Sequence, residues 1–588
     1  MASEQVDVVI IGAGMRGIIT AKTYIQVQPD VNLVMLEAMS TPGGTWAEQR
    51  LYPGLKTHTT LGSYECSDLP MTEEFGVKPA GHIPGQVVHD YLKQYIDKFD
   101  LGRRIRCNTT VKTVERLNDS DQWRVSTNGG STIVCDKLII ATGLMSEPFI
   151  PAIPGMDAFG VPIVHTRDLR EHAERLLRSA SLVTVYGGRK SAQDAVHYFA
   201  SNGVKVHWCI RESGHGPGWL ASTKPVIPSL ALDRIPFIRM VTALSPCIWG
   251  DADGQSWLRG FFHGTRLGRW ITQKFWASLT DTVVHQNGYD SHPKLQKLKP
   301  RCGVFWSGSS PGGLNFSTDF FALVKSDLVD IHVADITELS NNTIHLSTGE
   351  SISTDALICC TGWRSTPSFP FLPERMEREL GMPYRSNKFD DLANKATQEI
   401  LSRFPILANQ PSTTRNPDVA RAEVSTRPFR LYRFIAPPTD AFRRSIAFIG
   451  MLGSPAASEV EALWCVAYLN GRLTLDAKTA EERERLGVSF AEERMWETTL
   501  ASEYCRLRAP AGYGNMWPDL TFDVLPYYDL LLRDLRLDSR RKGGFLKELF
   551  TPYGAQDYRG IVEEWLFEAN TNDVCTLGKY DNEILIAT

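Results

Sequence analysis

The chain carries the same short unit twice, and that repetition limits its fold more than any other feature. Residues 6–24 (VDVVIIGAGMRGIITAKTY) and 182–199 (LVTVYGGRKSAQDAVHYF) each read as an apolar strand, a glycine turn and a helix. The β-branched strand of the first unit, 6–11, suits a parallel sheet buried on both faces. Gly12, Gly14 and Gly17 then satisfy G-x-G-x-x-G. The first glycine permits a tight turn, the second lets a pyrophosphate approach the backbone, and the third lets helix and strand pack closely. The helix runs through Tyr24 and Val27 and stops before Pro29. A second strand is expected at 31–36, with Glu37 at its end, 20 residues after Gly17. A carboxylate there can accept both hydroxyls of an adenosine ribose.

The second unit differs at two positions. Its strand is predicted at 182–186, its turn at 187–192, its helix at 191–202 and its next strand at 204–210. Arg211 ends that strand, 24 residues after Gly187, where Glu37 stands 25 residues after Gly12. A guanidinium at this place suits a 2′-phosphate and a carboxylate suits a free ribose. The first unit is therefore expected to take FAD and the second NADPH. Arg189 occupies the place of the second glycine. It either blocks the pyrophosphate or turns away to pair with a phosphate, with Gly188 supplying the backbone freedom. Two strand ends, LIIATG at 138–143 and LICCTG at 357–362, each follow one nucleotide unit. Thr142, Gly143, Thr361 and Gly362 would let a cofactor lie against them, or are ordinary strand exits. The backbone of PGGTW at 42–46 offers a further phosphate face.

Two nucleotide units let hydride pass from a nicotinamide to a flavin. A disulfide reductase would then need a redox CxxC, and the eleven cysteines contain none. Dioxygen or a small-molecule acceptor remains. A net charge of -4 without a long basic run argues against nucleic acid. The irregular cysteines read as reduced thiols of a cytoplasmic protein. No secretory start and no membrane-length apolar run is visible, which leaves peripheral membrane contact open. His82, His89, His215, His263 and His285 lack a metal spacing and read as structural, so no metal is expected. No pattern speaks to oligomeric state.

GAGMRG, GGTW, LYPGLKTHTTLGSYECSDLPM, ATG, GGRKSAQD, IRESGHGPGW, TGW and SEVEALW follow in order between about residues 5 and 475. In these marks the chain resembles the flavin-containing monooxygenases, relatives of the Baeyer–Villiger monooxygenases, and in particular a fungal branch tied to secondary metabolism. The resemblance implies FAD contacts at Gly12, Gly14, Gly17, Glu37, Gly44, Thr45, Trp46, Val111 and Gly143. It implies NADPH contacts at Gly187, Gly188, Lys190, Ser191 and Arg211. It also implies dioxygen activation as a flavin C4a-hydroperoxide and transfer of one oxygen atom to a small organic metabolite. Three departures stand out. In the F-x-G-x-x-x-H fingerprint Phe159 and His165 are kept, but Gly160 is shifted by one and Leu169 replaces an aromatic. Arg189 is the second. The third is His58, where the family places asparagine beside flavin and nicotinamide. His58 is expected to line the flavin site as a catalytic residue, titrating near pH 6.5 and making the oxygenated flavin pH-sensitive; a packing role is the alternative. Rival functions are a flavin reductase or oxidase that releases peroxide, and a flavin-binding protein that has lost turnover.

The expected fold is α/β with two Rossmann-like domains, the NADPH domain inserted in the FAD domain. The FAD part spans 1–155 and 346–475, with a loop-rich insertion at 385–435. The NADPH part spans 160–345. It contains a tryptophan-rich stretch, 215–310, read as a packed subdomain, with a lid, a substrate channel or a membrane-facing patch as alternatives. Residues 476–588 are expected to form a helical extension.

Overall fold

The computed structural model describes residues 3–568 except 79–80, 118–120, 222–231, 309–311, 365, 386–389, 415, 417–425, 443, 452–457, 474–488, 511–513 and 515–517. Two sheets carry the two glycine turns. In the first, Glu4–Ile11 lies between Leu33–Leu36 and Thr132–Ile140, parallel to both. Thr132–Ile140 is long enough to serve two partners. Its first half pairs antiparallel with Trp123–Thr127 and its second half parallel with Ile446–Phe448. The consecutive residues Val8, Val9, Ile10 and Ile11 of this strand are all buried, hence on both faces of the sheet, which is why its second half is continuously apolar.

The second sheet is wholly parallel, in the order Val329–Val333, Lys205–Ile210, Leu182–Tyr186, Leu357–Cys359, Ile163–His165. Leu357–Cys359 lies between Leu182–Tyr186 and Ile163–His165. The return to the first sheet therefore comes after Cys359 and not at 346. LICCTG is the second sheet's counterpart of LIIATG. The outgoing and returning chains run side by side. Phe149 N–H donates to Gly362 C=O (3.0 Å), Arg364 N–H donates to Glu147 C=O (2.9 Å), and Pro148 bridges Trp363 in antiparallel fashion.

The helix Ser458–Leu469 is buried on every side and packs along the first helix, Met15–Val27. The region 385–435 is less loop-like than expected. It contains the helix Asp391–Arg403, whose first turn is capped by Asp390 accepting from Ala393 N–H (3.1 Å). The extension expected to be helical over 476–588 lies partly outside the described residues; its first described helix is Phe490–Arg508, opened by a Ser489–Glu492 capping box. The tryptophan-rich stretch and the C-terminal helices form one packed body. Trp276 packs on Phe305 and Phe522, and Trp249 on Tyr504 and Tyr527. Fully buried Arg239, from the helix Arg239–Ala243, donates to Asp529, Glu548 and Tyr553 of the C-terminal region.

Candidate active site

The first glycine turn is a cradle assembled for two different reasons. Gly12 has φ +109°, and a Cβ there would lie 2.5 Å from the Ala141 carbonyl oxygen. A Cβ on Gly17 would lie 2.2 Å from the Gly12 carbonyl oxygen. Both glycines are required by the protein itself. Gly14 is different: its Cβ would meet only Gly44, at an ordinary 3.6 Å. Among the described residues nothing fills the room it leaves, so the protein itself does not require glycine there, as fits a turn that a ligand approaches closely. Gly14 also pairs with Gly43, which brings the PGGTW turn against the first one. The first helix has no side-chain cap and no acid in its first turn, leaving its N–H donors for an anion. Glu37 is buried, with one carboxylate oxygen accepting from Ala13 N–H (2.9 Å) and the other from Met39 N–H (2.9 Å). It is thereby fixed at the mouth of the turn. Val111 opens the strand next to the segment that pairs with Glu37, where Thr109 N–H donates to Glu37 C=O (2.8 Å). Thr45 and Trp46 lie in a short turn after Gly44, with the Trp46 indole donating to the Tyr64 hydroxyl. Gly143 has φ +70° and open space beyond its Cα, beside half-buried Thr142.

The second turn repeats this plan with changes. The left-handed freedom sits at Gly187 (φ +147°), not at Gly188. A Cβ on Gly187 would lie 2.4 Å from the Cys360 carbonyl oxygen. Gly188 instead admits the loop above it: a Cβ there would lie 2.9 Å from the Gly216 carbonyl oxygen. Arg189 caps the helix Lys190–Ser201 with extended backbone and no side-chain cap bond. Its guanidinium stands by Cys302, whose thiol burial pushes up to about 11 while Arg189 pulls it back. Ser191 follows in the first turn, half-buried. Lys190 is buried and pairs with Asp194, its ammonium 4.5 Å over the Phe316 ring. Arg211 is exposed at the end of Lys205–Ile210 and lies against Gly214. Arg301 braces its loop by donating to the carbonyls of Gly214 (2.5 Å) and Glu212 (3.0 Å). Thr361 donates to Phe149 C=O, and Gly362 (φ +89°) has open space at its Cα.

His165 explains why the fingerprint tolerates its departures. It is buried, hydrogen-bonds Gly362 C=O through Nε2 (3.1 Å), and packs edge-on against Trp363 at 4.9 Å. Phe159 and Leu169 are buried, and Gly160 takes φ +79°. The histidine thus holds the returning chain, a task that needs neither the shifted glycine nor the aromatic.

The segment after PGGTW joins the two turns. Arg50 lies over the Trp363 ring (5.0 Å). The Tyr52 hydroxyl donates to Asp194 Oδ2 (2.9 Å), the acid that also holds Lys190. His58 follows on Lys56–Thr60, so close to Gly313 that a Cβ there would lie 2.8 Å from the His58 carbonyl oxygen. Its side chain is reached by solvent. Burial pushes its pKa down to about 4, helped by the Lys190 and His82 charges and opposed by Asp194. The direction is downward from the ordinary value near 6.5 that the sequence suggested, which favours the neutral imidazole at physiological pH. Tyr52 and Asp194 were not singled out from the sequence, and His82 was read there as structural; the Tyr52–Asp194 contact spans 142 residues and leaves no local pattern.

Residues 9–228 match the pyridine nucleotide-disulphide oxidoreductase family. The chain is 36% identical to the FAD-dependent monooxygenase resA of Aspergillus sclerotiorum, covering 97% of this chain and 99% of that protein. It is 35% identical to an FAD-dependent monooxygenase of Pyrenophora dematioidea, over 92% of this chain and all (100%) of that one. A Baeyer–Villiger monooxygenase of Penicillium patulum, peniC, is 34% identical over 26% of the chain. Among solved structures the fold is similar to the open form of cyclohexanone monooxygenase, with a TM-score of 0.56 at 16% identity, covering 90% of this chain and 98% of that one. The glycine cradles, the fixed Glu37 and the exposed Arg211 fit FAD and NADPH. The chain belongs to the FAD-dependent monooxygenases.

Proposed function

We propose that this FAD- and NADPH-dependent monooxygenase inserts one atom of dioxygen into a small organic metabolite of a fungal secondary pathway, the second atom leaving as water. One observation carries the reading. The continuous segment 43–60 touches the first glycine turn at Gly14, the returning chain at Trp363 and the second nucleotide helix at Asp194. A chain that transfers hydride between two cofactors needs such a common wall. Bound FAD would supply dioxygen activation, with NADPH as the electron source. The protein's part is placement. Glu37 holds a ribose, the two uncapped helices face the pyrophosphates, and Arg211 meets the 2′-phosphate. Neutral His58 offers one donor and one acceptor on the wall of the cleft without adding a charge. That matches what an asparagine amide does there. The organism types of the relatives support the pathway reading.

The test is single-turnover oxidation under ¹⁸O₂ with extract of the producing fungus, read by mass spectrometry. One labelled oxygen atom per product molecule is the expected result. Stoichiometric peroxide with no labelled product would make the protein an oxidase. A flavin that NADPH does not bleach would make it a binding protein.

A further inference from the structure

Among the described residues eleven large apolar side chains are exposed, and seven of them belong to three neighbouring helices. Ser256–Gly264 and Arg266–Asn287 form a helical hairpin. Gly268 makes it tight: a Cβ there would lie 2.0 Å from the Phe261 carbonyl oxygen. Trp257 and Phe261 share one face of the first helix at i, i+4 spacing. Leu267 and Trp270 share a face of the second. Trp257 is 63% exposed and Trp270 56%. The inward face is ordinary core, with Leu258 and His263 buried and Trp276 locked on Phe305 and Phe522. Beside the hairpin lies Phe545–Phe550, whose Leu549 packs with Leu258 and Ala243. Its outer face shows Phe545, Leu546 and Phe550. Arg540 lies against Gly254, just ahead of the hairpin.

The charge around this patch runs against the rest of the molecule. The stretches 256–274 and 536–550 hold nine Lys and Arg and two carboxylates, in a chain whose net charge is -4; three of the nine, Arg259, Arg541 and Lys542, pair with Asp253, Glu564 and Asp557 outside these stretches. One of the two, Glu548, is buried and turned inward to Arg239. Arg266, Lys274, Arg540 and Lys547 are exposed at the margins. No described helix is long and apolar enough to cross a membrane. Indoles and other large apolar side chains bordered by cations, on helices too short or too amphipathic to span, fit the boundary between acyl chains and anionic headgroups.

We propose that this face docks on the surface of an anionic phospholipid bilayer, the hairpin tip and Phe545–Phe550 entering the headgroup layer. The charge complementarity selects this occupant over a second copy of the chain, since two copies would bring the same cations together.

The experiment is flotation of the full FAD-loaded protein with vesicles of phosphatidylcholine alone or with 30% phosphatidylserine. Each cation near such a surface changes binding by about fivefold. Wild type should float with the anionic vesicles and lose at least tenfold of that binding at 0.5 M salt. Trp257→Ser with Trp270→Ser should lose at least tenfold on both compositions. Arg266→Glu with Lys547→Glu should lose it on the anionic vesicles alone. FAD content and NADPH oxidation serve as folding controls, since all four side chains lie outside the cofactor cleft. In a second arm, lipid carrying a shallow spin label should quench wild-type indole fluorescence, and the double serine variant less. Absence of flotation at low salt overturns the proposal. So does flotation that the substitutions leave unchanged. A dimer in solution that the serine variant dissociates, with no vesicle binding, assigns the face to self-association instead.

Discussion

At the scale of single residues, the glycines of the first turn separate demands that a sequence pattern merges. Gly17→Ala forces a methyl onto the Gly12 carbonyl, so it should destabilise the apoprotein by about 1–3 kcal/mol. Gly14→Ala meets no such obstacle. It should leave apoprotein stability nearly unchanged while lowering FAD affinity at least tenfold. Thermal unfolding of the apo forms beside flavin titration distinguishes the two. Arg211→Ala should weaken NADPH about ten- to hundredfold, the worth of a charge-assisted hydrogen bond, and leave NADH nearly untouched. Equal losses would point to general damage. For His58 the expectation is a flat profile: peroxide released per NADPH should not change from pH 6 to pH 8.5, because the imidazole is pushed down to about 4. His58→Asn should stay equally flat, and an acid-side rise near pH 6.5 in wild type would show that the ring titrates normally. The identity of His58 was visible in the sequence. Its charge state was not, since it depends first on burial and then on Lys190, Asp194 and His82 gathered from other elements.

At the scale of elements, the strand, turn and helix of each nucleotide unit were legible because glycine spacing and strand hydrophobicity are local. The predicted helix 191–202 and strand 204–210 appear as Lys190–Ser201 and Lys205–Ile210. The sheet that owns Leu357–Cys359 was not legible, because a short apolar strand carries no mark of its partners. The tryptophan-rich stretch was half legible. Trp219 and Trp276 are core, whereas Trp257 and Trp270 face outward, and composition alone does not sort them. His263 gives this region a pH sensitivity of its own. It is buried, with Nε2 hydrogen-bonded to Ala243 C=O (3.2 Å), and burial pushes its pKa down to about 4. Its folded pKa lies below the unfolded value of about 6.5, so the unfolded chain binds more protons between the two. Stability is then full above pH 6.5 and falls as the pH drops toward 4, by roughly 3 kcal/mol from this group. Denaturant unfolding of wild type and His263→Gln from pH 7.5 to 4.5 should show a shallower fall in the variant.

At the scale of the molecule, the C-terminal region was expected to be an appendage and is part of the core. The Arg239 guanidinium is buried with Asp529, and removing one partner from such a pair costs about 3–5 kcal/mol. Asp529→Ala should therefore lower stability by that order, read by denaturant unfolding. No sequence pattern announced this, since the partners stand 290 residues apart. The two chains that cross between the sheets have a consequence for motion. A single peptide tie would let the second sheet swivel about its own length. Here Phe149 and Arg364 zip the crossings into a two-stranded ribbon, and His165 rivets its inner edge to the second sheet. A ribbon bends easily across its flat face and resists torsion and in-plane shear. The second sheet is thus expected to rock about this ribbon rather than swivel on it. Such rocking would carry the second glycine turn toward and away from the first without changing its orientation.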